Sequence, residues 1–292
     1  MTVPVLGTII IAAHNEQLVI ERCLRSLAPI LAAETARVVV VCNGCSDNTA
    51  DLARRFYGVT VLELPVASKT GALRAGDLVA TDGPRIYLDA DITMTARAAV
   101  EVLLTLRPGG PLAARPPVDF DCTGSQWAVR SWYRVRAQLP SIHNVLWGAG
   151  SYALSVEGRA RFTEFPDIVS DDLFIDQLMA EAERAIVPTD PLLVRAPRSS
   201  TDLLKILKRT YRTQDDVTVA PSTGVVSAGQ RGQLDDLRAL VRRDPSCIPD
   251  VAVYVALISI ARMQARWAPA SARWERDNSS REVIMPHPTS AR

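Results

Sequence analysis

Asp89-Ala90-Asp91 places two carboxylates one residue apart, at the point where the apolar run Ile86-Tyr87-Leu88 ends. In an extended chain alternate residues share a face, so both acids can converge on one divalent cation or on one metal-bound diphosphate. Ligands of open α/β sheets gather at the carboxyl ends of strands, where this pair would lie; taken alone, it also reads as a solvated strand-end turn. Cys42-Asn43-Gly44-Cys45 spells C-x-x-C, but no second such pair and no paired histidines accompany it, so it reads as a small buried pair rather than half a zinc site. Gly148-Ala149-Gly150-Ser151-Tyr152-Ala153 fits the G-x-G-x-x-A dinucleotide pattern, with Asp171 and Asp172 about twenty residues on. Its position midway along the chain, with no glycine fingerprint after the first strand, argues against a nicotinamide cofactor.

The elements that must position these residues follow from the apolar pattern. Leu6 to Ala12, Val38 to Val41, Val59 to Leu64 and Arg85 to Asp89 read as strands, the first two with the continuous apolar runs of strands covered on both faces. Between them fall three helices: one capped by Asn15 with the stripe Ile20, Cys23, Leu24 and Leu27, one after the capping residues Ser46 to Thr49, and one over Lys69 to Ala80. This alternation predicts an α/β fold, a mostly parallel sheet with helices on both faces. Beyond Asp91 a mixed half is expected on the same sheet: helices over 96–106, 171–183 and 203–212, one more carrying Val129, Trp132 and Tyr133, and strands over 111–118, 148–154 and 192–196. A loop over 220–233, helices over 234–243 and 251–267, and a mobile tail over 268–292 complete the chain. The expected division is a catalytic domain over 1–215, its two halves meeting at residue 91, and a helical extension over 216–267.

With 292 residues, 48% hydrophobic and 22% charged, the chain can bury a large core. Its 33 basic and 32 acidic residues are well mixed, so nothing in the charge pattern argues for nucleic acid. Five cysteines without a disulfide framework or a secretory leader fit a reducing cytoplasm. The apolar stretch 251–261 is shorter than the ~20 residues of a bilayer span. With Arg262, Arg266 and Trp267 beside it, that helix either lies peripherally on the inner membrane surface or is buried against the body.

Seven pieces stand in order: Ala12-Ala13-His14-Asn15-Glu16, Asn43 to Thr49, Lys69 to Gly76, Asp89-Ala90-Asp91, Gly148-Ala149-Gly150, Asp171-Asp172, and Arg209 with Arg212. Over roughly residues 5 to 215 this order resembles the family-2 glycosyltransferases of GT-A fold. The resemblance implies a Rossmann-type sheet that binds a nucleoside-diphosphate-sugar donor. Ala12, His14, Glu16, Asn43 and Lys69 would contact the nucleoside, Asp89 would face the ribose or a metal-bound water, and Asp91 with Asp89 would hold Mn2+ or Mg2+. Gly148 and Gly150 would let backbone approach the donor sugar and acceptor. Arg212, the match to the arginine of the family's Q-x-x-R-W motif, and Arg209 would grip the diphosphate. Asp172 would be the general base for the acceptor hydroxyl with Asp171 in support, although both acids also fit the acidic first turn of a helix.

Trp127, Arg130, Trp132, Tyr133, Arg134, His143 and Asn144 fall where such enzymes hold the acceptor, and Trp132 and Tyr133 also have the spacing of core residues. The chain departs from the family pattern at Cys42-Asn43, Arg74, Arg209 and Thr213. The expectation is an inverting, metal-dependent transfer of a sugar to a hydroxyl of a saccharide, a lipid or a small molecule. The alternatives are a catalytically silent sugar-nucleotide-binding protein and a nucleotidyltransferase on a similar sheet; the latter would carry a Gly-rich basic loop after the first strand, which Ala12 to Glu16 is not.

Overall fold

A computed structural model describes residues 5–80, 82–216 and 225–267. Nine strands follow one another: β1 (Thr8–Ala13), β2 (Arg37–Asn43), β3 (Val59–Leu64), β4 (Arg85–Asp89), β5 (Ala113–Arg115), β6 (Val118–Asp121), β7 (Ser151–Leu154), β8 (Arg184–Ile186) and β9 (Leu192–Arg195). Seven form one sheet in the order β3-β2-β1-β4-β7-β5-β8, and β6 pairs with β9 in a second, parallel sheet. β1 to β4 run parallel, as the β-α alternation predicts. Their alternate residues feed two cores. Ile9, Ile11, Val38 and Val40 meet the Ile20–Ser26 and Ala96–Thr105 helices, whereas Val39 and Val41 meet the Lys69–Leu78 helix on the other face. Both faces being covered explains why these strands are apolar without interruption.

β7 is the exception that shapes the site. It runs antiparallel to both β4 and β5, so the segment 148–150 that enters it lies at the edge from which β1, β2 and β4 exit. A third core, with Trp132, Leu207, Leu240 and Tyr254, joins the Trp127–Arg136, Ser200–Asp216, Val225–Arg243 and Ile248–Trp267 helices.

Several expected elements differ. Asn15 does not cap the first helix: it sits at φ 52 and accepts a hydrogen bond from the Ser46 N–H at 2.7 Å, while the Glu16 carbonyl receives the N–H groups of Val19 and Ile20. The expected strand over 111–118 is two short strands in different sheets, and β9 joins β6 rather than the main sheet. The helix expected over 171–183 stops at Leu178 and gives way to β8, a three-residue strand with too few positions to show alternation. Residues 225–233 of the expected loop are helical, the N-terminal run of a helix whose Leu237 and Leu240 are buried; once that part is nucleated, extension costs little even through glycines. Positions 220–224 and the expected tail 268–292 lie outside the described residues. The helical stretch Pro245–Trp267 has 23 residues and is apolar enough, by length and composition, to cross a membrane, which corrects the shorter stretch counted from 251–261. Its Tyr254, Leu257 and Ala261 are nevertheless buried against the body.

Candidate active site

The exit edge of the sheet opens on a cavity of about 1010 Å³. Ala12, His14 and Glu16 line it from the end of β1 and beyond, Asn43 from β2, Lys69 from the start of its helix, Asp89 from the last position of β4, and Asp91 from the turn that follows, closed by the Ile92 N–H on the Asp89 carbonyl in place of the expected extended run. Gly148, Gly150, Asp171, Asp172 and Arg209 line it from the other half. Arg212, half-buried on the same helix as Arg209, is outside the lining.

Several donor-end side chains hold the strand ends together. The His14 Nδ1–H donates to the Asn43 carbonyl oxygen at 2.5 Å; that oxygen can only accept, which fixes the tautomer. Asn43 donates through Nδ2 to the Ala13 carbonyl (2.9 Å) and accepts from the Ser68 N–H (3.0 Å), so its amide clamps β1, β2 and the Lys69–Leu78 helix. Asp47 accepts from the Thr49 N–H at 3.0 Å, a capping role. Burial, and then the neighbouring Cys45, pushes the Cys42 thiol up to about 12, which disfavours the thiolate that a nucleophile or metal ligand at Cys42 would need.

Lys69 links the two halves. Its Nζ lies 2.7 Å from Asp89 Oδ1 and 3.0 Å from Asp171 Oδ1. Burial acts to lower the ammonium's pKa, but Asp171, Asp89 and Asp172 outweigh it and the net shift is upward. Asp171, only 2% exposed, also accepts from the Tyr152 hydroxyl at 2.9 Å. Burial raises its proton affinity, against the pull of Lys69. Asp172 is half-buried; Oδ2 accepts from the Gly148 N–H at 2.7 Å, and Oδ1 accepts from Ser170 Oγ at 2.9 Å. Both acids do begin the Asp171–Leu178 helix, so the acidic first turn and the cavity position coincide.

Gly148 and Gly150 adopt φ 71 and 69, which L side chains rarely tolerate. A Cβ on Gly150 would stand 2.5 Å from Ile92 Cγ1, and the Gly150 carbonyl accepts the Asp89 N–H at 2.8 Å. The glycine segment thereby fixes the backbone of the first acid pair as well as touching the second.

Of the residues expected near an acceptor, Trp132 and Tyr133 are buried and still form part of the wall, and Asn144 joins them. Trp127 is 56% exposed, and it, Arg130, Arg134 and His143 lie outside the lining; Arg134 pairs with Asp250. Residues not singled out from the sequence do more. Arg136 packs its guanidinium carbon 5.4 Å from the Trp132 ring centroid and 5.8 Å from that of Trp147. It follows Trp132 by one helical turn, so the stripe that marked Trp132 also carried a signal for Arg136. Buried Arg115 donates to the carbonyls of His143 (2.9 Å) and Val145 (2.6 Å), and Asp176 accepts from the Leu146 N–H at 2.7 Å, so two buried charges hold the segment before Gly148.

Two acid pairs joined across one cleft by a lysine invite comparison with known proteins. Residues 8–143 match the family model described as Glycosyl transferase family 2. Over that stretch the chain is similar to this family. The match runs from β1 through the Trp127–Arg136 helix and ends before Asp171-Asp172. Among solved structures, the mannosyltransferase PcManGT from Pyrobaculum calidifontis, in complex with GDP-Man and Mn2+, is 17% identical with a TM-score of 0.62, covering 89% of this chain and 86% of that one. Glucosyl-3-phosphoglycerate synthase from Mycobacterium tuberculosis, in complex with Mn2+, UDP and phosphoglyceric acid, is 19% identical with a TM-score of 0.50, covering 74% of this chain and 80% of that one. TarS 1-349 of S. aureus in complex with UDP is 11% identical with a TM-score of 0.50, covering 89% and 90%. These likenesses establish the GT-A-like fold. A sequence search of curated proteins found no match.

The side chains present fit a divalent cation. Mg2+ and similar hard cations keep several waters and are held by one or two carboxylates together with substrate phosphates. Asp91 and Asp89 offer such a pair on the cavity wall, and among the described residues no cluster of three or more His, Cys, Asp or Glu forms an all-protein cage.

Proposed function

We propose that this protein is an inverting glycosyltransferase that moves a sugar from a nucleoside diphosphate to a hydroxyl acceptor. The observation that carries the reading is the Lys69 bridge between Asp89 and Asp171, which keeps the donor acids and the Asp172 carboxylate in one cavity. The nucleotide complexes of the structural neighbours, GDP-Man or UDP with Mn2+, support the donor class. Asp91 and Asp89 would hold Mn2+ or Mg2+, which when bound offsets negative charge on the departing diphosphate. The acceptor oxygen forms its bond to the anomeric carbon as the bond from that carbon to the diphosphate oxygen breaks. The acceptor proton passes to Asp172, and the nucleoside diphosphate leaves with the electron pair. Attack from the face opposite the leaving group inverts the configuration. Tyr152 and Lys69 hold Asp171, and the Gly148 N–H orients Asp172 toward the cavity.

The reading places the enzyme in the cytoplasm. Exposed Ile248, Val255, Ile260, Met263 and Trp267, on the outer side of the last helix, support a peripheral contact with the inner membrane face.

Thermal melting with UDP or GDP plus Mn2+ tests the donor half: the midpoint is expected to rise, and NAD is expected to leave it unchanged. Asp172→Asn is expected to keep nucleotide binding while transfer falls by about 10²- to 10⁴-fold, the worth of a general base. Asp91→Asn is expected to weaken only the Mn2+-dependent part of binding. Transfer at the wild-type rate by Asp172→Asn would remove the assigned base, and nucleotide binding with neither transfer nor donor hydrolysis would leave a binding protein.

A further inference from the structure

We infer that Arg136 and Arg262, together with the indole N–H of Trp132, form a subsite for a phosphate or carboxylate carried by the acceptor. This rests on the glycosyltransferase reading and names the acceptor class, a hydroxyl-bearing anion.

The subsite is built from two helices on the side of the cavity remote from β1. Arg136 comes from the Trp127–Arg136 helix and Arg262 from the Ile248–Trp267 helix, and both line the cavity. Trp132 stacks on Tyr254 with ring centroids 5.5 Å apart, and Arg136 packs on Trp132. The Arg262 guanidinium carbon lies 4.9 Å from the Tyr211 ring centroid. Both arginines act electrostatically on the same two phenols, Tyr211 and Tyr254, so the two cations share one neighbourhood.

Arg134 pairs with Asp250 and Arg184 with Asp176, but neither Arg136 nor Arg262 forms an ion pair with a carboxylate among the described residues. Burial first, and then the charge of Arg136, lowers Arg115 to about 10, against the opposing pull of Asp176. Trp132 is 4% exposed, and its Nε1–H is buried with no hydrogen-bond acceptor. A guanidinium and an indole can only donate. Native proteins rarely leave a buried donor unsatisfied, and an anion with several acceptor oxygens satisfies the indole and balances both guanidiniums, which water would not do.

Position separates this anion from the donor's diphosphate. The donor end carries Asp89, Asp91 and Lys69. Arg136 instead adjoins Gly148: a Cβ there would stand 3.2 Å from its guanidinium nitrogen, and the Gly148 N–H donates to Asp172. A molecule anchored on Arg136 by its anionic group therefore has its remaining hydroxyls beside the proposed base.

Titration calorimetry of the full chain tests the subsite with glycerol 3-phosphate, glycerate and glycerol, and co-sedimentation tests it with phosphatidylglycerol vesicles against phosphatidylcholine vesicles. At least one anion is expected to bind, with glycerol weaker by about tenfold or more, the share of a charge-assisted contact. Arg136→Gln and Arg262→Gln are each expected to weaken anion binding by about tenfold, to keep the nucleotide-Mn2+ melting shift, and Arg136→Lys to recover part of the loss. Arginine-dependent binding of the small anions assigns a soluble acceptor; arginine-dependent binding of the phosphatidylglycerol vesicles alone assigns a lipid headgroup, and either supports the subsite. Binding of the small anions that ignores both arginines overturns it, as does loss of nucleotide binding in the variants, which would assign them to the donor; vesicle binding that ignores the arginines and is lost in Ile260→Glu with Met263→Glu belongs to the last helix. If Arg136→Gln fails to fold, Arg262→Gln decides. Wild-type protein that binds the anion through these arginines and no nucleotide would overturn the glycosyltransferase reading and leave the subsite standing.

Discussion

Lys69 serves two carboxylates with one positive charge, and Asp171, the more buried of them, depends on it. Burial already lifts the Asp171 pKa above its ordinary value, with Asp172 and Asp89 adding to the rise and Lys69 opposing it. Lys69→Met removes that opposition, so the folded-state pKa climbs further above the unfolded one. A carboxyl raised in this way contributes stability that is present below its unfolded pKa and lost as pH rises through the folded pKa. The variant is expected to be less stable than wild type by about 3 kcal/mol near pH 8, the loss typical of breaking a buried pair, and by clearly less near pH 5. Melting at both pH values checks this; an equal deficit would show that the two side chains are not electrostatically linked. Spacing brought Asp89 and Asp91 to notice, and the resemblance to family-2 glycosyltransferases added Lys69, Asp171 and Asp172, yet neither could tell that Lys69 touches an acid from each pair. The stripe of Val129, Trp132 and Tyr133 does extend to Arg136 rather than to Arg130 or Arg134, but a helical period does not say that this face borders a cavity.

At the scale of elements, the segment Gly148 to Gly150 is a junction where backbone conformation carries the function. Gly150→Ala forces an L residue to φ 69 and sets its Cβ against Ile92. The strain is expected to cost about 1–3 kcal/mol, and the displaced carbonyl loosens the Asp89 N–H, so Mn2+-dependent nucleotide binding should fall as well. Melting and nucleotide titration of this variant read the two effects separately; unchanged values in both would mean that the junction tolerates a side chain. β1, β2 and β4 were legible because covering both faces of a parallel sheet demands unbroken apolar runs such as Ile9 to Ile11, and β3, at the sheet's edge, by the alternation of Val59 and Val61 with Thr60 and Glu63 outside. β8 was not, since three residues give no period to read, and the strand expected over 111–118 took in β5 but ran on to the start of β6, whose partner β9 is far away in sequence.

Considered whole, the molecule joins a nucleotide-type sheet to a helical wall, and the last helix belongs to both inside and outside. Tyr254 and Arg262 look into the cavity, while Trp267 is 81% exposed beyond Met263 and Ile260. Flotation with anionic vesicles is expected to carry the protein, and Ile260→Glu with Met263→Glu is expected to abolish it without altering the nucleotide melting shift. Flotation that survives the double change would remove this helix from the membrane contact.

The reversal of β7 has one more consequence. The chain leaves the sheet from β5 and returns into β7 at the same edge, so residues 116–150 form one excursion, anchored by β6 on β9 and by the Trp127–Arg136 helix, rather than a crossover. Lengthening or trimming such an excursion changes how deep the cleft is and what fits its far wall, while the four parallel strands beneath keep their register. Diversification of acceptors among relatives built this way can thus proceed by remodelling a single detour.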